Sequence, residues 1–230
     1  MLACAGVASY FRAVNHPTHG DTRMNKLITE LIGTFFLVLT IGLVVATGSP
    51  LAPLAIGSVL MVMVYMGGHI SGAHYNPAVT LGVWMRGSIE TGDVAKYMGV
   101  QLLGALLGAA ISSYLTGETL TVAHSGNMIP ALVAEFLFTF ALVLVVLNVA
   151  TSDATSGNSY FGLAIGFTVM VGAFAVGGIS GGAFNPAVGI GAIIVDIAMG
   201  NGSFGDGWIY LVGPFGGGAA AAMVYKVQNS

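Results

Sequence analysis

Charge is what this chain has least of. Only 7% of its 230 residues are Asp, Glu, Lys or Arg, where a soluble domain carries about 25%. So few charges cannot cover a water-facing surface, and a soluble globular domain is excluded. Cysteine is nearly absent too. Cys4 stands alone, which rules out an internal disulfide and leaves no Cys/His cluster of zinc or haem type. Neither a nucleophile–base pair nor a metal cluster is visible, so the chain does not read as an enzyme, and no cofactor or metal is expected. The formal net charge of -3 points to no particular partner, and nothing suggests nucleic acid. The first residues lack the basic start and apolar core of a signal peptide; residues 1–24 read as a cytoplasmic tail, and Met24 is an alternative start.

What remains is apolar. Hydrophobic residues make up 56% of the chain, and the mean hydropathy is +0.89. Stretches 27–47, 51–68, 94–115, 129–150, 160–178 and 207–227 are each long enough to cross a bilayer core, which takes about 20 helical residues. Unsatisfied backbone groups are not tolerated in lipid, so these are expected as helices. Two further apolar pieces, 76–84 and 185–198, are too short to span and read as re-entrant segments. The basic residues Arg12, Arg23, Lys26, Arg86, Lys96 and Lys226 all fall on one side of that scheme. The positive-inside rule makes that side cytoplasmic, with both termini there.

The chain repeats itself. "ISGAHYNPAV" from Ile70 recurs as "ISGGAFNPAV" from Ile179, and "LAIG" from Leu54 recurs from Leu163 in the same register. "ELIGTFFLVL" from Glu30 is similar to "EFLFTFALVL" from Glu135. Each half, about 25–115 and 129–227, therefore holds three spans and one short piece. An odd number of spans inverts the second half relative to the first, and such repeats place their sites near the midplane.

Asn-Pro-Ala is a helix start. Asn is a strong N-cap and Pro suits the first helical position. Asn76, Pro77 and Ala78, and again Asn185, Pro186 and Ala187, thus begin two half-helices at mid-membrane. The positive ends of both half-helices face one spot. Each Asn amide is expected to keep two N–H donors free for a lumen. Irregular backbone at this depth is tolerated where it lines a water-filled cavity; Gly68, His69, Ser180 and Gly181 are further lining positions.

On these paired motifs the chain resembles the aquaporin/glycerol-channel family, the major intrinsic proteins, over essentially residues 24–227. The resemblance implies an all-α membrane protein with six transmembrane helices and two re-entrant half-helices in an inverted repeat, forming one channel domain over 25–230. It implies a homotetramer in the lipid bilayer, a pore in each protomer, and passive passage of water and small neutral solutes, with the plasma membrane as the expected location. By resemblance Glu30 and Glu135 brace the loops, His69 lines the inner vestibule, Gly57 and Gly166 mark a close helix crossing, and Gln101 and Pro214 fit the pattern.

One feature departs from the family. An Arg is expected after the second motif, and this chain has Val188. By resemblance the rest of the outer filter falls on Ile56, Ala173 and Gly182, where a strict water channel usually has an aromatic, a His and a small residue. Loss of the Arg removes a fixed charge and several donors. The expectation is a wide, apolar filter that admits water and also glycerol, urea, ammonia, hydrogen peroxide or neutral metalloid acids. The alternative is that Phe184 or an outer-loop side chain folds inward and restores the narrowness. A secondary transporter is the rival class, since inverted repeats and broken helices occur there as well. His74 is expected to be a loop-packing hydrogen bonder and His124 a solvated loop residue.

Overall fold

The computed structural model describes residues 23–200 and 202–229; nearly all of the expected tail, 1–22, lies outside the described residues. Helix is the main regular element among them. The order is α1 (Arg23–Ala46), α2 (Ala52–Ser71), α3 (Pro77–Arg86), α4 (Thr91–Thr116), α5 (Met128–Ala150), a 3-10 turn at Asp153–Thr155, α6 (Phe161–Ser180), α7 (Pro186–Ala198) and α8 (Ile209–Gln228).

α2 and α6 stop for the same reason. Each ends at a glycine in the left-handed region, Gly72 at φ 89° and Gly181 at φ 85°, whose N–H donates to Gly68 O and Gly177 O. α3 and α7 start for the same reason, with Pro at the first turn and an extended Asn as the cap. At 10 and 13 residues they reach roughly 15 and 20 Å. Neither crosses a bilayer core alone, but the two end to end do.

Five helices are long and apolar enough to span: α1, α2, α4, α5 and α6. α8, expected as the sixth span, is equally long at 20 residues but falls below them in hydropathy. Its middle reads "GGGAAAA", which exchanges bulk for close approach. A Cβ placed on Gly213 would stand 2.8 Å from Glu135 Cβ, and the backbone of Phe136 and Phe140 leaves no room for one on Gly217. α8 therefore lies directly against α5.

The pairing is mirrored in the first half. α4 packs on α1 through Gly104 and Gly108, where a Cβ would meet Leu31 O at 2.5 Å and Phe35 O at 2.7 Å. The halves join where α2 crosses α6, and a Cβ on Gly57 would stand 2.6 Å from Gly166 O. Small residues that allow such approaches are the usual means of packing membrane helices.

Polarity runs opposite to that of a soluble protein. Bulky apolar residues face outward at helical spacing: Ile28, Ile32 and Phe36 on α1; Leu103, Leu107 and Ile111 on α4; Leu163, Phe167, Val171 and Phe174 on α6. The buried set includes Glu30, Glu135, Gln101, Thr34, Thr80, Asn76 and Asn185. Only a hydrocarbon surrounding makes that arrangement favourable.

Candidate functional site

Two loops, 72–76 and 181–185, carry the repeated motif into the centre. Each needs unusual backbone. In the first, Gly72, Ala73 and Tyr75 have positive φ; in the second, Gly181, Gly182 and Phe184 do. Left-handed conformation costs an ordinary residue about 1–2 kcal/mol, so something must hold Tyr75 and Phe184 there. The holders are two carboxylates with no exposed surface. Glu30 accepts from Ser71 Oγ at 2.6 Å, from His74 N–H at 2.9 Å and from Tyr75 N–H at 2.7 Å. Glu135 accepts from Ser180 Oγ at 2.7 Å, Ala183 N–H at 3.0 Å and Phe184 N–H at 2.7 Å. Hydrogen bonds to a charged group contribute about 1.5–3 kcal/mol each, enough to offset the backbone strain.

The outer ends of the loops are tied alike. Tyr97 Oη donates to Ser71 O, and Tyr210 Oη donates to Ser180 O. The copies then diverge. Gln101 Nε2 donates to Glu30 at 2.8 Å and to Thr80 Oγ1 at 3.0 Å. In the second half Pro214 stands at Gln101's place and Gly189 at Thr80's, so Glu135 lacks that fourth donor.

At the centre the two asparagines clasp each other's loops. Asn76 Oδ1 accepts from Ala78 N–H at 2.8 Å, and Asn76 Nδ2 donates to Phe184 O at 2.9 Å. Asn185 Oδ1 accepts from Ala187 N–H at 2.9 Å, and Asn185 Nδ2 donates to Tyr75 O at 2.9 Å. The expectation of two free N–H donors per Asn is thereby corrected. One is spent across the repeat, and one per side chain is left.

Two cavities follow one another here, and the clasp lies within the first. The first, of about 350 Å³, is lined by Asn76, Asn185 and all four expected filter positions, Ile56, Ala173, Gly182 and Val188. Gly181 lines it too, and so does the loop segment Leu120, Thr121, Val122 and Ala123. The second, of about 610 Å³, is lined by Gly68, His69, Arg23, Lys26 and Asp93. Ser180, expected to line the lumen, does not: its side chain is wholly buried against Glu135.

Phe184, the alternative that would restore the narrowness, is among the residues lining the first cavity, but it is almost wholly buried. Its ring is buried against Phe138, centroids 5.5 Å apart, and fills the space that Gly172 leaves open. The outer loop does approach the lumen. Ser125 N–H donates to Ile179 O, and His124 Nε2 pairs with Asp206 Oδ2 at 2.9 Å. His124 is therefore a largely buried clamp between two outer loops, which corrects its reading as a solvated residue. Its partner is 82 residues away, beyond the reach of any local signal.

The same residues match a known family. The model of the family described as "Major intrinsic protein" covers residues 46–225, well over half the chain. The chain belongs to the major intrinsic protein family. Its members are passive channels for water and small solutes rather than enzymes, and the protein is integral to the membrane. Among the similar proteins is Aquaporin NIP1-3 of Oryza sativa subsp. japonica, 37% identical, with the match covering 93% of this chain and 77% of the relative. Another is Probable aquaporin NIP4-2 of Arabidopsis thaliana, 38% identical, covering 89% and 74%. The fold is also similar to the X-ray structure of the aquaglyceroporin from Plasmodium falciparum, with a TM-score of 0.77, 23% identity, and coverage of 89% of this chain and 96% of that one.

For a major intrinsic protein with this bracing, truncating either buried glutamate should be costly. Glu30→Ala leaves His74 N–H, Tyr75 N–H and Ser71 Oγ without their acceptor, at about 1–3 kcal/mol for each orphaned donor. The expected outcome is loss of monodisperse protein on heating in detergent, about 10 °C or more below the parent. Fluorescence-detected size exclusion after a temperature series measures it. An unchanged melting profile would show that the loops do not depend on this carboxylate.

Proposed function

We propose that this chain is a channel for water and for neutral solutes larger than water, with an outer filter too wide and too apolar to restrict passage to water. One observation carries the reading. Ile56, Ala173, Gly182 and Val188 line one cavity of about 350 Å³, and their side chains are small or aliphatic with no fixed charge among them. None of the four is basic or aromatic. Glycerol, urea, ammonia and neutral metalloid acids are the solute classes that such a lining accepts. A coupled transporter would need ionisable groups in its path; Glu30 and Glu135 are both consumed in holding loop amides.

The family resemblance supports a homotetramer with one pore per protomer, in the plasma membrane. Both termini on the cytoplasmic side fits the grouping of the basic residues at one end. Arg23 pairs with Asp93 at 2.7 Å, Lys96 reaches the same carboxylate at 3.4 Å, and Arg86 lies over the Tyr225 ring beside Lys226. Stopped-flow scattering on proteoliposomes tests the function. An impermeant osmolyte should give fast shrinkage, and glycerol or urea should give shrinkage followed by re-swelling. Rates equal to those of empty liposomes would sink the channel reading. Shrinkage without re-swelling would confine it to water.

A further inference from the structure

We infer that the size cut-off of this conduit is set at a neck between His74 and Val146, on the inner side of the asparagine clasp, and not at the outer filter. The inference rests on the wide-filter reading above and says where, given that width, solutes are sieved.

The two cavities share two lining residues, His74 and Val146. The wall of α5 shows the passage from one to the other. Leu142 lines only the outer cavity, Val146 both, and Val149 and Ala150 only the inner one. Leu142, Val146 and the pair Val149 and Ala150 follow at three- and four-residue steps along one helical face. α3 shows the same order, with Val79 on the outer cavity and Val83 on the inner.

Both sides of the neck are stiff. Val146 is 5% exposed, and a β-branched side chain on a helix has one strongly preferred rotamer. His74 Nδ1 lies 3.1 Å from Thr80 Oγ1, and its ring rests 5.2 Å from that of Tyr97. Thr80 is itself fixed by Asn76 O and Gln101 Nε2. With Nδ1 engaged, Nε2 is the ring nitrogen left to meet a passing molecule. The neck therefore combines fixed methyl groups with one polar atom, a surface suited to small neutral molecules.

The inverted repeat supplies its own contrast. The counterparts of His74 and Val146 in the opposite half are Ala183 and Ile41. Both lie inside the outer cavity. With Ala in place of the imidazole, the outer half has no ring to close against α2 and α1. The two halves are thus symmetric in backbone and bracing but not in bore.

The test compares widening at the two places. Proteoliposomes carrying the parent, Val146→Ala, Val146→Phe or Val188→Ala are challenged with urea, glycerol and a four-carbon polyol, each protein first checked for monodispersity. Val146→Ala should raise glycerol uptake by about threefold or more and admit the polyol, with a smaller gain from Val188→Ala. Val146→Phe should cut glycerol uptake by about tenfold; should that variant not fold, the two alanine variants still decide. A larger gain from Val188→Ala, or none from Val146→Ala in a parent that passes glycerol, overturns the neck. A parent that passes water but neither glycerol nor urea overturns the solute-channel reading instead. In that case glycerol uptake appearing in Val146→Ala supports the neck, and its failure to appear overturns it.

Discussion

Replacing Val188 by Arg should cut glycerol and urea passage by about tenfold or more and slow water much less. Val188 is the residue after the second Asn-Pro-Ala and lines the outer cavity next to Ile56, Ala173 and Gly182. It is otherwise packed, with 3% of its surface exposed, so the longer side chain has one open direction, into the lumen. A guanidinium there adds five donors and a charge that holds its own water. Water passes such a group by exchanging one hydrogen bond for another. A polyol must shed several at once in a narrower bore. A tenfold loss corresponds to about 1.4 kcal/mol, modest beside that desolvation. Re-swelling in glycerol against shrinkage in an impermeant osmolyte separates the two effects. Equal loss of both would mean that Arg plugs the lumen. No loss of either would place the outer constriction elsewhere.

The parts of this architecture that local chemistry dictates are legible in the sequence. Asn is a favoured cap and Pro a favoured first helical residue, and their repetition before two apolar stretches marks the starts of α3 and α7 from six residues. The repeat then fixes their opposed direction, because three spans per half must invert. Hydropathy was a weaker guide to α8. Its contribution is made by glycines that bring its backbone onto α5, and small residues score low on any scale of apolar bulk.

What stayed hidden is long-range. The Asn76–Phe184 and Asn185–Tyr75 bonds join residues 108 and 110 apart. A capping motif read in isolation leaves both amide hydrogens free, and only the meeting of the loops shows one of them used. Ser180 looked like a lining residue because its neighbours are; its hydroxyl points instead to a glutamate on another helix. Val146 carried no signal at all. It is one valine in an apolar run, and its position between two cavities depends on where the His74 loop lies against it. The difference between the two halves has the same origin: His74 and Ala183 are aligned in the repeat, but what an imidazole does there follows from Thr80 and Tyr97, which the second half lacks or uses differently.

The largest change in ion selectivity should come from Asn185→Asp. With Val188 where the outer Arg would stand, we propose that cation exclusion falls to the clasp, where the N-termini of α3 and α7 meet. Each end is equivalent to about half a positive charge. At a separation of about 4 Å and an effective dielectric constant near 20, each raises the energy of a passing cation by about 2 kcal/mol. Together they amount to roughly 4 kcal/mol, on the order of a thousandfold in permeation. A carboxylate at the same distance contributes about 4 kcal/mol of the opposite sign, so one Asp is enough to cancel both ends. Asp keeps the acceptor that caps Ala187 N–H, so α7 still starts where it did. It loses the donor to Tyr75 O, and water flux should fall as the loops loosen. Sodium-driven conductance in planar bilayers should appear in Asn185→Asp and stay absent in Asn185→Ala, which loses cap and clasp without adding charge. Equal leaks in both variants would mean that the clasp excludes cations by its bore. A leak confined to Asp assigns the exclusion to the two helix ends.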